Sequence, residues 1–311
     1  MATEPTIAVL NAAPTARQSR ALRLTATVSD FWALTKPEVN FLILITTFAG
    51  FYLGSAADLS GFRILGVIHT LVGTLFVAGG TGTLNQFLER SFDAQMRRTA
   101  RRPLASGRLE AAHVFWFGIL LSIAGIAYLA LAVNFLASLL AVFTLLSYLF
   151  LYTPLKRKTP LCTLVGAFPG AVPPLIGWAA ATGRLDPAAW VLYAIVFLWQ
   201  FPHFMAIAWM YREDYSRAGY LVLPAGEQRD RFVISQSSLA TLVLIPVTLI
   251  PTISGEMGFA YSGGALILGL IFLYYAARFA FHRSNVAARR LLAASIIYLP
   301  LVFILLVLDK K

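Results

Sequence analysis

Apolar residues along this chain come in blocks of about twenty, each closed by a short polar break. Blocks of that length cross a hydrocarbon layer as helices, whereas barrel strands alternate over about ten residues. Read this way, nine spans fall at roughly 39–57, 62–84, 111–132, 134–155, 161–182, 187–210, 235–254, 259–280 and 291–308. The breaks carry turn and charge signals: Asp58, the turn from Thr182 through Gly183 and Asp186 to Pro187, the Gly255-Glu256 pair, and the basic stretch from Arg278 to Arg290. Pro169, Pro173 and Pro174 predict a broken or kinked fifth span. Gly79, Gly80 and Gly82 suit close helix packing and allow the second span to bend. The expected fold is therefore all-α and polytopic, with a single transmembrane domain over 31–311. Residues 1–30 hold no apolar core for a signal peptide and read as a mobile cytoplasmic tail. Arg17, Arg20 and Arg23 imitate an organellar transit peptide, but Glu4, Pro5 and Pro14 argue against one.

Composition agrees with that picture. Of 311 residues, 59% are hydrophobic and 13% charged, with a mean hydropathy of +0.74, which excludes a soluble domain of this size. The lone Cys162 excludes an intramolecular disulfide and a cysteine metal cluster. A net charge of +11 would suit a nucleic-acid partner only if the bases formed one stripe on a soluble surface. They lie instead between apolar blocks, so no nucleic acid is expected. With the N-terminus inside, 21 of the 25 Lys and Arg residues fall on inside segments, which predicts an N-in, C-out topology.

Two of those inside segments, 85–110 and 211–232, are longer than tight turns and mix acids with bases. In the first, Asn85, Glu89 and Asp93 step by four, about 40° apart on a helix, so one face presents an amide oxygen and two carboxylates. Arg90 lies within this row, and Arg97, Arg98, Arg101 and Arg102 follow it. Hard oxygens beside guanidiniums suit a divalent cation held together with a polyphosphate; the plain alternative is a solvated helix end. The second segment carries Arg212, Glu213, Asp214 and Arg217 on the same side, so two acidic clusters could clamp one diphosphate through metal ions, against a merely solvated loop. Lys156, Arg157 and Lys158 read equally well as a topology signal or lipid contact and as diphosphate ligands. His203 falls inside the sixth span near Gln200, where an ionisable group marks a functional site or a satisfied histidine beside the Pro202 kink. A transporter would explain nine kinked spans and an intramembrane histidine, but not acids and arginines gathered on one side.

The string Asn85…Glu89…Asp93…Met96…Arg98-Thr99…Arg102-Pro103-Leu104 resembles the first signature of the UbiA-type intramembrane prenyltransferases, and within them the protohaem IX farnesyltransferase, or haem O synthase, branch. The likeness continues through Tyr152-Thr153…Lys156-Arg157…Thr159, Gly166…Gly170…Pro173-Pro174…Gly177-Trp178, Pro202-His203-Phe204 and Asp214-Tyr215…Ala218-Gly219…Leu223-Pro224. It covers roughly 35–308. Glu89 stands where the family usually has aspartate, Phe201 and Tyr220 also depart, and the Asp214 motif lacks a full DxxxD spacing. The resemblance implies nine helices around a central cavity, Mg²⁺-dependent use of farnesyl diphosphate, and the vinyl group of haem b as acceptor. It implies metal ligation by Asn85, Glu89, Asp93 and Asp214. Diphosphate would be held by Arg98, Arg102, Lys156, Arg157 and Arg212, and catalytic roles would fall to Asn85, Asp93, Asp214 and His203, the last as haem ligand or proton acceptor. An aromatic acid or a chlorin is the competing acceptor. The implied place is the bacterial plasma membrane, acidic motifs facing the cytoplasm, rather than the mitochondrial inner membrane. Haem A synthase or a haem-copper oxidase assembly would be the partner beyond membrane lipid.

Overall fold

The computed structural model describes residues 27–55 and 64–311, which are almost wholly helical. Helix α1 (27–34) is followed by α2 (Pro37–Gly54), α3 (Ile64–Asp93), α4 (Ala111–Ala132), α5 (Phe135–Leu146), a π-helical segment (Ser147–Tyr152) and α6 (Thr153–Leu155). Then come α7 (Cys162–Gly170), α8 (Pro173–Thr182), α9 (Pro187–Met210), α10 (Arg212–Arg217), α11 (Glu227–Ile253), α12 (Phe259–His282) and α13 (Asn285–Leu308). Among the described residues nine helical stretches are long and apolar enough to cross a membrane, with α5 to α6 and α7 to α8 each making one. Large apolar side chains such as Leu131, Phe135, Phe259 and Leu308 point outward, as a lipid-facing surface requires.

Three ends differ from the sequence reading by more than a turn. The second span does not stop at residue 84: the helix runs on to Asp93, because its last turns bury Asn85, Gln86 and Glu89 rather than exposing them. The seventh begins at Glu227, whose first turn holds Glu227 and Asp230, acids suited to a helix N-terminus. The ninth begins at Asn285, capped by the Ser284 side chain. Of the segment read as a tail, residues 27–30 are helical, and 1–26 lie outside the described residues, as does Asp58. Helix α1 is held by Phe31 and Leu34, which pack with Leu104, Val114 and Phe117, and by a two-pronged Arg108–Asp30 pair.

The fifth span is broken at Ala171-Val172, as its prolines predict. Gln200 of α9 spans the gap left by Gly170 and donates to the Ala167 carbonyl at the break. The break lets α8 lie directly against α2: a Cβ on Gly177 would fall on the Thr47 carbonyl, and one on Gly50 on the Pro174 carbonyl. Helix α3 remains continuous through Gly79–Gly82. Its glycines serve packing, since a Cβ on Gly80 would land on Ser122 and the Gly118 carbonyl of α4.

Candidate active site

The C-terminal turns of α3, the segment after α6 and the α10 loop meet at one end of the bundle. The Leu221 amide donates to the Lys156 carbonyl at 2.7 Å, and the Arg98 amide donates to Asp214 Oδ2 at 3.3 Å. Below that junction a cavity of about 420 Å³ runs into the bundle, a size usual for small-molecule sites. Its mouth is charged, with Lys36, Asn85, Glu89, Asp93, Arg98, Arg102 and Lys156. Its depth is largely apolar, lined by residues including Ile43, Val77, Ala141, Ile176 and Leu299. The shape suits an amphiphile with an anionic head and a long hydrocarbon tail.

The periodicity of α3 places Asn85, Glu89 and Asp93 on the face turned to the cavity, where each is at most 6% exposed. Each already meets a cation. Lys36 Nζ donates to Asn85 Oδ1 at 2.8 Å. Lys156 Nζ donates to both Glu89 oxygens at 2.8 and 3.1 Å, and Arg102 Nη1 to Asp93 Oδ2 at 2.7 Å. Asn85 Nδ2 ties the row together by donating to Glu89 Oε2 and Thr153 Oγ1. Burial lowers the ammonium of Lys156, but Glu89 against it, helped by Tyr152 and Tyr148, carries it well above the ordinary lysine value. Lys36 goes the other way: burial, then the positive charges of Arg102 and Lys156, pull it down to about 7.

Lys36 is a site residue that the sequence does not single out: there it is one inside charge among the 21. It sits between α1 and α2 with φ 55° and ψ 61°, a left-handed conformation costly for any side chain with a Cβ. That turn brings the ammonium back over the end of α3. The signal available in the sequence was a lone lysine before the proline that opens a span. Tyr148 and Tyr152, presented by the π-helical segment, also line the cavity, and the Tyr152 ring lies 4.6 Å from Lys156 Nζ. Tyr220 lines the mouth beside Glu89; burial and that carboxylate push its phenol up.

The other sequence candidates divide. Arg98 reaches the mouth and stacks on Tyr211, with its guanidinium 4.7 Å from the ring centre. His203 lines the cavity with Trp199 and Phe204. Asp214, Arg157 and Arg212 are not among the lining residues. Asp214 instead accepts from the Arg98 amide and from Arg217, pinning α10 to the segment after α3. Arg157 lies over Phe92 at 4.5 Å. Arg212 is tied to the Trp209 carbonyl and to Asn285, at the junction of α9 and α13. Among the described residues no three acids, histidines or cysteines gather into a ready metal cage.

The sequence profile of the UbiA prenyltransferase family matches residues 43–305. The protoheme IX farnesyltransferase of Solibacter usitatus is 50% identical over 287 residues, covering 90% of this chain and 98% of the relative. The protein of the same name from Koribacter versatilis is 41% identical, covering 90% and 93%. Among solved structures, one described as digeranylgeranylglyceryl phosphate synthase superposes with a TM-score of 0.72 at 20% identity, covering 91% of this chain and 98% of that one. A UbiA homologue from Archaeoglobus fulgidus bound to GPP and Mg²⁺ gives 0.59 at 17% identity, covering 89% and 99%. At such identities these structures establish the shared fold.

Proposed function

This chain belongs to the UbiA prenyltransferase family, and on that premise we propose that it transfers the farnesyl group of farnesyl diphosphate to a vinyl group of haem b, with addition of water, to give haem O. The observation that carries the reading is one cavity that joins a charged mouth to an apolar depth. Relatives named protoheme IX farnesyltransferase supply the acceptor.

The diphosphate enters the mouth, and its hydrocarbon tail lies along Val77, Ala141 and Ile176. Lys36, Arg98, Arg102 and Lys156 are placed to take phosphate oxygens, and three of them turn from Asn85, Asp93 and Glu89 as they do so. The oxygens they release are hard donors only, on one helical face, which is the set Mg²⁺ accepts when phosphate completes its shell. Mg²⁺ held by Asn85, Glu89 and Asp93 would supply positive charge to the departing diphosphate. Asp214 acts from behind, holding Arg98 in place. As the C1–O bond of farnesyl diphosphate breaks, the four cations stabilise the growing negative charge. The apolar walls keep water from the allylic cation until the vinyl carbon attacks C1. Water then adds to the vinyl-derived cation and loses one proton, which leaves hydroxyethylfarnesyl haem and diphosphate. His203, below the mouth, serves the haem end of the cavity. The enzyme lies in a bacterial plasma membrane, N-in and C-out, with the mouth toward the cytoplasm.

Expression in a host lacking its own haem O synthase, followed by pigment extraction and mass analysis, tests class, donor and acceptor together. A haem b mass increased by a farnesyl group plus water is the expected result. Unchanged haem b overturns the reading.

A further inference from the structure

On the cavity wall, the ring of His203 is held from a neighbouring helix. Ser295 of α13 is fully buried. Its Oγ lies 2.6 Å from the Leu292 carbonyl oxygen and 2.8 Å from His203 Nδ1. A carbonyl carries no hydrogen, so two oxygens this close must share the hydroxyl's only proton. The contact to Nδ1 must then be bridged by a proton on the histidine. Neutral His203 is therefore the Nδ1–H tautomer, with its lone pair on Nε2. The Ser295 carbonyl accepts from Trp199 Nε1 at 2.8 Å, and the Trp199 and His203 rings stack with centres 4.7 Å apart. One residue of α13 thus fixes both rings of α9.

His203 is the only histidine among the residues lining this cavity, and no cysteine lines it. Its one hydrogen bond among the described residues is through Nδ1. An imidazole that donates through one nitrogen and offers the other as a lone pair is the form that binds iron. We propose that Ser295 is a positioning residue: it locks His203 in the Nδ1–H tautomer so that Nε2 can bind the iron of the acceptor porphyrin. The assignment of iron as the partner rests on the haem reading above; the tautomer does not.

The test has two arms, both on the full chain in detergent micelles. In the first, the four histidines are ¹⁵N-labelled without substrate present, and the His203 signals are assigned by their loss in His203→Gln. The expected pattern is a protonated Nδ1 and a bare Nε2, lost as a single tautomer in Ser295→Ala and restored in Ser295→Thr. A protonated Nε2 in the unaltered protein, or a pattern indifferent to Ser295→Ala, overturns the proposal. In the second, ferric haem b is titrated and its absorption spectrum followed. Ser295→Ala is expected to weaken histidine-type ligation by about 10- to 100-fold, with Ser295→Thr near the unaltered protein and farnesyl diphosphate KM unmoved in both. A haem spectrum unchanged in His203→Gln overturns iron binding by His203. Failure to make haem O in the host test would overturn the haem reading and leave the first arm standing.

Discussion

At the scale of single residues, the proposed reaction has the charged mouth exchange partners. Asp93 and Glu89 are each nearly buried and each paired, so what matters is which cation leaves when the substrate arrives. Asp93→Ala frees Arg102, which is partly solvent-exposed and tolerates the loss, so the protein should insert and fold. Turnover should fall by at least about 100-fold, the scale of a lost electrostatic stabiliser; near-normal haem O formation would refute the role. Lys156→Ala removes a charge-assisted contact worth about 1.5–3 kcal/mol, so the farnesyl diphosphate KM should rise roughly 10- to 100-fold. An unchanged KM would return Lys156 to a topological role. Because Asn85, Glu89 and Asp93 each hold a protein cation, Mg²⁺ should bind weakly alone and tightly with inorganic diphosphate present. Calorimetry with and without diphosphate reads the difference directly, and equal affinities would count against the exchange.

At the scale of helices, small residues decide how the walls of the cavity come together. Gly80 meets α4 through backbone as well as side chain, so Gly80→Ala cannot be relieved by a rotamer change. The expected cost is about 1–3 kcal/mol, read as a lower midpoint in a thermal scan in detergent. Gly263→Ala in α12 is the control, since its Cβ would meet nothing within 4 Å. Equal midpoints for the two variants would deny the close approach of α3 and α4. The break between α7 and α8 was legible because proline both lacks a donor and clashes with the preceding turn. The π-helical segment was not: Pro154, just past Ser147–Tyr152, marks a disturbed turn, but hydropathy does not record the register of a wider turn.

At the scale of the molecule, polarity is expressed in which end carries charge. The acidic motif, Lys156 and the α10 loop share one end of the bundle, and the topology proposed above from the positive-inside bias turns that end to the cytoplasm. In a Cys162→Ala background, cysteine placed at Ser106 should react with an impermeant maleimide only after the cells are opened. Cysteine at Ser254, near the far end of α11, should react in intact cells; both positions are solvent-exposed. The reverse pattern would invert the topology.

The sequence by itself determined the nine spans, the break in the fifth, and the face that carries Asn85, Glu89 and Asp93. These follow from apolar length, from proline, and from the helical repeat, all of which act locally. It marked His203 as polar within an apolar block, but not which nitrogen it offers. Tertiary structure alone decided the rest. Lys36 reaches Asn85 across 49 positions, Arg98 finds Asp214 across 116, and Ser295 sets the state of His203 across 92. Arg157, Arg212 and Asp214 had the right charges and neighbours in sequence, yet their partners in the fold are Phe92, Asn285 and the Arg98 amide, and they are not among the residues lining the cavity. A residue's chemistry is written in its side chain. Its partner is set by which helix the packing of glycines and broken spans brings alongside, and no local pattern carries that information.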